Sequence, residues 1–230
     1  MKPTTHERIE PPGTVLALHG PGGEPEPCHS LSSRHGATAE LQVTFPGESP
    51  DGPSASEAPA KLGLISIGDV LRSTSAADGP DFSGPIAVDA IEDPADLTAI
   101  GLSVSRFCER WGATGERIVV CFHSLNALLR HVRPDQAFRF VHTLAGRFDN
   151  VNALAYVHWN VRGEDDRLVS TFTSIFDDVV CSGLSPSEAT DEDVAEVLAA
   201  WEEPTTTAVD ARRITEATDE DVARVVDDSV

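Results

Sequence analysis

The chain has 230 residues, with 38 acidic and 17 basic side chains and a formal net charge of −21. So acidic a surface disfavours nucleic acid, which needs a basic stripe against its phosphates, and disfavours anionic membranes for the same reason. No run of about 18 apolar residues exists to span a bilayer, and the polar start, residues 1–12, carries no apolar stretch of the kind a secretory signal needs, so the expected location is cytoplasmic. With 40 % apolar residues, a sizeable core is within reach.

The basic residues are unusual, since Lys2 and Lys61 are the only lysines. Acid excess with lysine depletion suits a salt-rich cell, where screening weakens self-repulsion. The four cysteines, Cys28, Cys108, Cys121 and Cys181, form no CxxC pair, and Cys108 and Cys121 lie in apolar runs that read as core.

A polar lead covers residues 1–13. Thr14–His19 reads as a buried strand, broken by Gly20-Pro21-Gly22-Gly23. A short helix around Cys28–Arg34 follows, then strands over Leu41–Phe45 and Leu62–Ile67, separated by a Pro- and Gly-rich loop over 46–60. A loose segment, 72–85, leads to a short strand over Ile86–Asp89. Asp93-Pro94 predicts a helix start, with Asp93 as the cap, and Leu97, Ile100, Val104, Phe107 and Trp111 form one helical face.

Arg117–Phe122 is continuously apolar, as a strand buried on both faces requires. Ser124 predicts the cap of a short helix carrying Leu125, Leu128 and Leu129. Pro134 starts another helix, with Phe138, Val141, Leu144 and Phe148 inward. Ala153–His158 reads as a strand, Asp165 or Asp166 as the start of a helix through Phe176, and Asp178–Cys181 as a last strand. Strands alternating with helices predict an α/β fold with a mostly parallel sheet between helical layers.

Residues 184–230 form an acidic tail, with 14 acidic side chains and three arginines. Glu188–Ala195 recurs letter for letter at Glu216–Ala223, and Val194, Val197, Leu198 and Trp201 offer apolar contacts for docking on the preceding domain, 14–183.

Arg117-Ile-Val-Val-Cys-Phe-His-Ser-Leu-Asn-Ala-Leu-Leu129 resembles the Walker B strand of RecA-like ATPases of the KaiC type: an apolar run, an Asp, then Ser-Leu-x-x-Leu-Leu. The whole chain resembles a haloarchaeal family of unknown function, a degenerate relative of those ATPases. The resemblance implies a three-layer α/β/α sandwich over 14–183. It also shows what has been lost. The loop His19-Gly-Pro-Gly-Gly-Glu-Pro-Glu-Pro27 has no Lys, carries Glu24 and Glu26 where phosphate would sit, and has three prolines that remove amide donors. At the Walker B Asp position stands His123, which supplies no carboxylate for magnesium.

The expectation is therefore a non-catalytic module, without a nucleotide or other cofactor, that regulates or binds a protein partner or its own copies in a halophilic archaeon. The alternative is a sensor or enzyme using the former nucleotide face, or residual nucleotide binding without hydrolysis. The resemblance places the first strand, the strand after Walker B and the Walker B strand side by side. His19, His158 and His123 end them, so the three imidazoles become a candidate transition-metal site, with Cys28 or His29 as a fourth ligand. Glu48 resembles in position the acidic residue after the second strand of these ATPases, although a loop carboxylate in so acidic a protein is usually just solvated. Ser124 beside His123 has no surrounding G-x-S-x-G and reads as a cap. His131 and His142 read as surface residues, Phe138/Phe148 and Phe172/Phe176 as core, and Asp165-Asp166 and Asp177-Asp178 as capping or solvated. Arg130, Arg133, Arg139 and Arg147 are the one basic-leaning stretch.

Overall fold

A computed structural model describes residues 9–20, 26–47, 59–68, 79–182 and 191–202. Seven strands form one sheet: β1 (Gly13–His19), β2 (Ala39–Thr44), β3 (Lys61–Ile67), β4 (Ile86–Ile91), β5 (Ile118–Phe122), β6 (Leu154–Asn160) and β7 (Asp178–Ser182). Their order is β4-β3-β2-β5-β6-β1-β7, and every pairing is parallel. The segment β5-β6-β1 is the juxtaposition that the resemblance to RecA-like ATPases implies.

The helices are α1 (Cys28–Arg34), α2 (Leu97–Gly112), α3 (Leu125–Leu129), α4 (Pro134–Asn150), α5 (Asp166–Thr173) and α6 (Asp191–Glu202). They divide unevenly between the two sheet faces. One face bears the large core, in which Leu16, Val43, Ile65, Ile118, Val120 and Val157 meet Phe107 and Trp111 of α2, Leu144 and Phe148 of α4 and Phe172 of α5. The other is covered, among the described residues, by α1 alone, whose Cys28 and Leu31 meet Val15, Val119, Cys121, Leu154 and Tyr156. Farther out on that face, edge strand β4 exposes Ile86 and Val88, at 57 % and 41 %.

Local signals explain most boundaries. Ser124 Oγ accepts from Ala127 N at 3.0 Å and caps α3. Asp165 Oδ1 accepts from Arg167 N at 2.8 Å and caps α5. The start of α2 differs from expectation. Asp93 Oδ1 accepts from Ala95 N at 2.8 Å, so Asp93-Pro94 makes a side-chain-closed turn; the cap is Asp96, accepting from Ala99 N at 2.9 Å. Helix α5 ends at Thr173, short of Phe176, although Ile175 and Phe176 still pack on the core.

Asp177 does more than cap. Its Oδ2 accepts from both Thr14 N, at 2.7 Å, and Thr14 Oγ1, at 2.8 Å, fastening the start of β7 to β1. Trp201 of α6 lies 5.5 Å from Phe138 between ring centroids, and Arg139 Nη2 donates to its carbonyl at 3.1 Å, so the first part of the acidic tail docks as its apolar residues predict. The second copy of the repeat, Glu216–Ala223, lies outside the described residues. Cys108 is buried and His131 and His142 are exposed, as expected; Arg130, Arg133, Arg139 and Arg147 are exposed too.

Candidate functional site

In a parallel pair, residues opposite one another share a face, and alternate residues return to it. Cys121 lies opposite Tyr156 across β5-β6, and Ala17 lies opposite His158 across β1-β6. Cys121 and His123, Tyr156 and His158, and Ala17 and His19 therefore all belong to the face that α1 covers. The amino end of α1 brings Cys28 over them. Two thiols and three imidazoles thus gather at the carboxyl edge of the three central strands, where open α/β sheets form ligand sites.

His19 Nε2 and His158 Nδ1 are 3.1 Å apart and buried, and the two rings stack with centroids 5.3 Å apart. A bond between two imidazole nitrogens needs one donor and one acceptor, so the pair cannot be doubly protonated and keep it. Burial, and after it the neighbouring His158, pushes the His19 pKa down to about 4, so His19 is neutral at pH 7. His19 Nδ1 and His158 Nε2 are buried without a hydrogen-bond partner among the described residues. His123 Nε2 lies 3.3 Å from Cys28 Sγ, and its ring centroid is 6.2 Å from that of His158. The Cys28 thiol is held well below its usual range by the Cys121 thiol first, then by His123 and His158, against the upward push of burial. Cys121 is raised, by burial first and then by its hydrogen bond to Cys28.

The three histidines expected at one edge are brought together, but they are not the set best placed around one point. Among the described residues, the group whose ligand atoms all lie within 4.8 Å of one another is Cys28, Cys121 and His158. His19 turns its Nε2 to His158, and His123 approaches Cys28. His29 is outside the group, with its Nδ1 buried and unpartnered. Cys121, which its apolar run marks as core, is the residue that sequence reasoning missed. The available signal was the i, i+2 alternation Cys121/His123 beside Tyr156/His158, which puts four polar or polarizable groups on one face.

The same face continues into β2. Glu40 and Gln42 are buried, at 0 % and 1 % exposure, and Gln42 Nε2 donates to Glu40 Oε1 at 2.5 Å. On the other side, a cavity of about 210 Å³ opens beside the imidazole pair, lined by His19, His158, Tyr156, His35, Glu26 and Arg34 among others. His35 Nε2 bonds Tyr156 Oη at 2.8 Å, and Arg34 pairs with Glu26. Of the Gly- and Pro-rich loop that follows β1, residues 21–25 lie outside the described residues, as does Glu48.

The chain belongs to a family of unknown function, DUF7504, whose model matches residues 22–181. No curated protein matches it. Among solved structures it is similar to an ATPase from the type III secretion system of pathogenic bacteria, with 14 % identity and a TM-score of 0.41. That match covers 81 % of this chain and 61 % of the other, so the chain spans less than two thirds of that ATPase's length. No described helix is long and apolar enough to cross a membrane.

Proposed function

We propose that this DUF7504 member is a RecA-like module that does not hydrolyse ATP and acts through protein contacts in a salt-rich cytoplasm. The observation that carries this reading is the composition of the carboxyl edge. Where phosphoryl transfer needs a Lys and a magnesium-orienting Asp, β1 ends in His19 and β5 is followed by His123, both directed into a buried imidazole–thiol cluster. Imidazole and thiol side chains lack the oxygen ligands that magnesium prefers and the Lys that neutralises a polyphosphate. The uneven coverage of the sheet supports a role in contacts, because Ile86 and Val88 of edge strand β4 offer apolar surface on the thinly covered face.

Phosphate release from magnesium-ATP by the full chain at molar salt tests the first part, and the expected rate is background. Turnover that disappears in His123→Ala would overturn it. Light scattering across a concentration series, with Val88→Asp as the variant, tests the second part for self-association. A second reading, a ligand- or metal-responsive protein, is favoured by the cluster of Cys28, Cys121 and His158.

A further inference from the structure

We propose that Cys28, Cys121 and His158 hold one thiophilic divalent cation, zinc by preference, with His123 at the fourth position and His19 orienting His158. The proposal is independent of whether the module hydrolyses ATP.

The geometry is close to that of a bound ion. Tetrahedral zinc, with bonds of about 2.3 Å to sulfur and 2.0–2.1 Å to nitrogen, sets ligand–ligand edges of about 3.8 Å between sulfurs and about 3.6 Å between sulfur and nitrogen. The three ligand atoms lie within 4.8 Å of one another, so each edge needs a contraction of at most about 1.2 Å. Cys28 Sγ and His123 Nε2, at 3.3 Å, are already near the sulfur–nitrogen edge. His123 lies against both Cys28 and the His158 ring, and a turn of its own ring would complete the tetrahedron.

The hydrogen bonding selects the ligating nitrogen. His158 Nδ1 is engaged by His19 Nε2, which leaves Nε2 as the nitrogen available to a metal. That atom belongs to a side chain 4 % exposed and has no partner among the described residues. A buried polar atom in that state costs free energy unless something satisfies it. A metal-bound imidazole normally donates its other N–H to a fixed acceptor, and His19 Nε2 fills that role once His158 carries its proton on Nδ1.

Charge and chemistry agree. On binding, the Cys28 and Cys121 S–H bonds break, two protons leave to solvent and two metal–sulfur bonds form, with no change of oxidation state. Two thiolates then cancel the dication, so the interior gains no net charge. Sulfur and imidazole donors favour zinc, cobalt or iron(II) over magnesium and calcium. The cavity lined by His19 and His158 provides an approach. The ligands come from the α1 start, β5 and β6, so the ion would pin the lone helix of the thinly covered face to the sheet.

The test uses the full chain, freed of metal by a chelator and titrated with cobalt(II). The expected result is one ion per chain, with a thiolate-to-cobalt charge-transfer band, ligand-field bands of tetrahedral intensity, release of about two protons per ion and displacement by zinc. Cys28→Ser and His158→Gln should each weaken binding at least 10-fold. His19→Gln should weaken it roughly 10- to 100-fold while keeping the sulfur band. Cys181→Ser, on the exposed edge strand, should change nothing. Absence of the charge-transfer band in the unaltered chain, or its loss in Cys181→Ser and survival in Cys28→Ser, overturns the proposal. Should Cys28→Ser fail to fold, alkylation of the unaltered chain decides. With labelling followed across a urea series, a shift of Cys28 and Cys121 labelling to higher urea in the presence of zinc, with exposed Cys181 reactive throughout, supports the site, and labelling curves unchanged by zinc overturn it. None of these results bears on the ATP assay.

Discussion

Gly63 lies on β3 directly beneath the aromatic contact of α2. A Cβ added there would stand 2.7 Å from Phe107 Cε1, 2.7 Å from Trp111 Cη2 and 2.8 Å from Leu41 Cδ1. Carbon pairs rest at about 3.5–4.0 Å, so three contacts are each compressed by roughly 0.7–1.3 Å. These atoms are side-chain ends, but they cannot swing away. Phe107 and Leu41 are fully buried and Trp111 is 3 % exposed. Phe107 is also packed edge-on against Trp111 at 5.3 Å and against Phe82 at 5.0 Å. Overpacking of this kind costs about 1–3 kcal/mol, offset by about 0.4–1 kcal/mol from the reduced freedom of the unfolded chain. Gly63→Ala should therefore destabilise the domain by about 1–2 kcal/mol, or roughly 2–8 °C in Tm for a chain of this size. Urea unfolding followed by tryptophan fluorescence and far-UV circular dichroism measures it. Gly146→Ala is the counterpart, since a Cβ there meets nothing within 4 Å, in the middle of α4. It should stabilise by up to about 1 kcal/mol. A Gly63→Ala protein as stable as the parent would refute the claim that α2 packs on β3 at van der Waals contact.

Three further outcomes are expected. Burial pushes the Cys108 thiol up to about 12, so native protein at pH 8 should alkylate at exposed Cys181 and leave Cys108 unlabelled until urea is added, as peptide mass spectrometry can read. Trp201→Ala removes the ring that packs on Phe138 and Phe172 and should release α6, so that limited proteolysis cuts within 191–202 several-fold faster while the core stays intact. For metal-free protein, His19 is depressed to about 4 from 6.5, so the unfolded chain binds the proton first on acidification. The His19 contribution should be complete above pH 6.5 and fall as pH drops toward 4. Urea midpoints of the parent and His19→Gln should shift relative to one another across that window and run parallel above it.

Much of the architecture is written locally. Apolar runs such as Ile118–Phe122, the caps Ser124 and Asp165, and the 3–4 spacing of Leu97–Trp111 each depend on residues within a few positions of one another. The sequence resemblance also implied which three strands would lie together, and so that three histidines would reach one edge. The shifted start of α2 shows the limit even locally: whether Asp93 or Asp96 caps the helix depends on a competing two-residue turn that both sequences of contacts allow.

Tertiary structure alone decided which atoms meet. In β2, the alternation around Leu41–Phe45 suggests one wet face, yet Glu40 and Gln42 are enclosed, because β2 lies between β3 and β5 with α1 packed against it, and Gln42 lies opposite Cys121, 79 positions further along the chain. Cys121 sits in an unbroken apolar run, where period-two reasoning cannot distinguish the two faces. Only the β5-β6 register, with Cys121 opposite Tyr156, puts its sulfur on the face of His158, and only the placement of α1 brings Cys28 over both. Strand type is a property of the local chain; register and docking depend on pairings between segments more than 20 residues apart. That is why the histidines, and Cys28 as a possible fourth ligand, could be foreseen at the edge, while Cys121, which completes the cluster, could not.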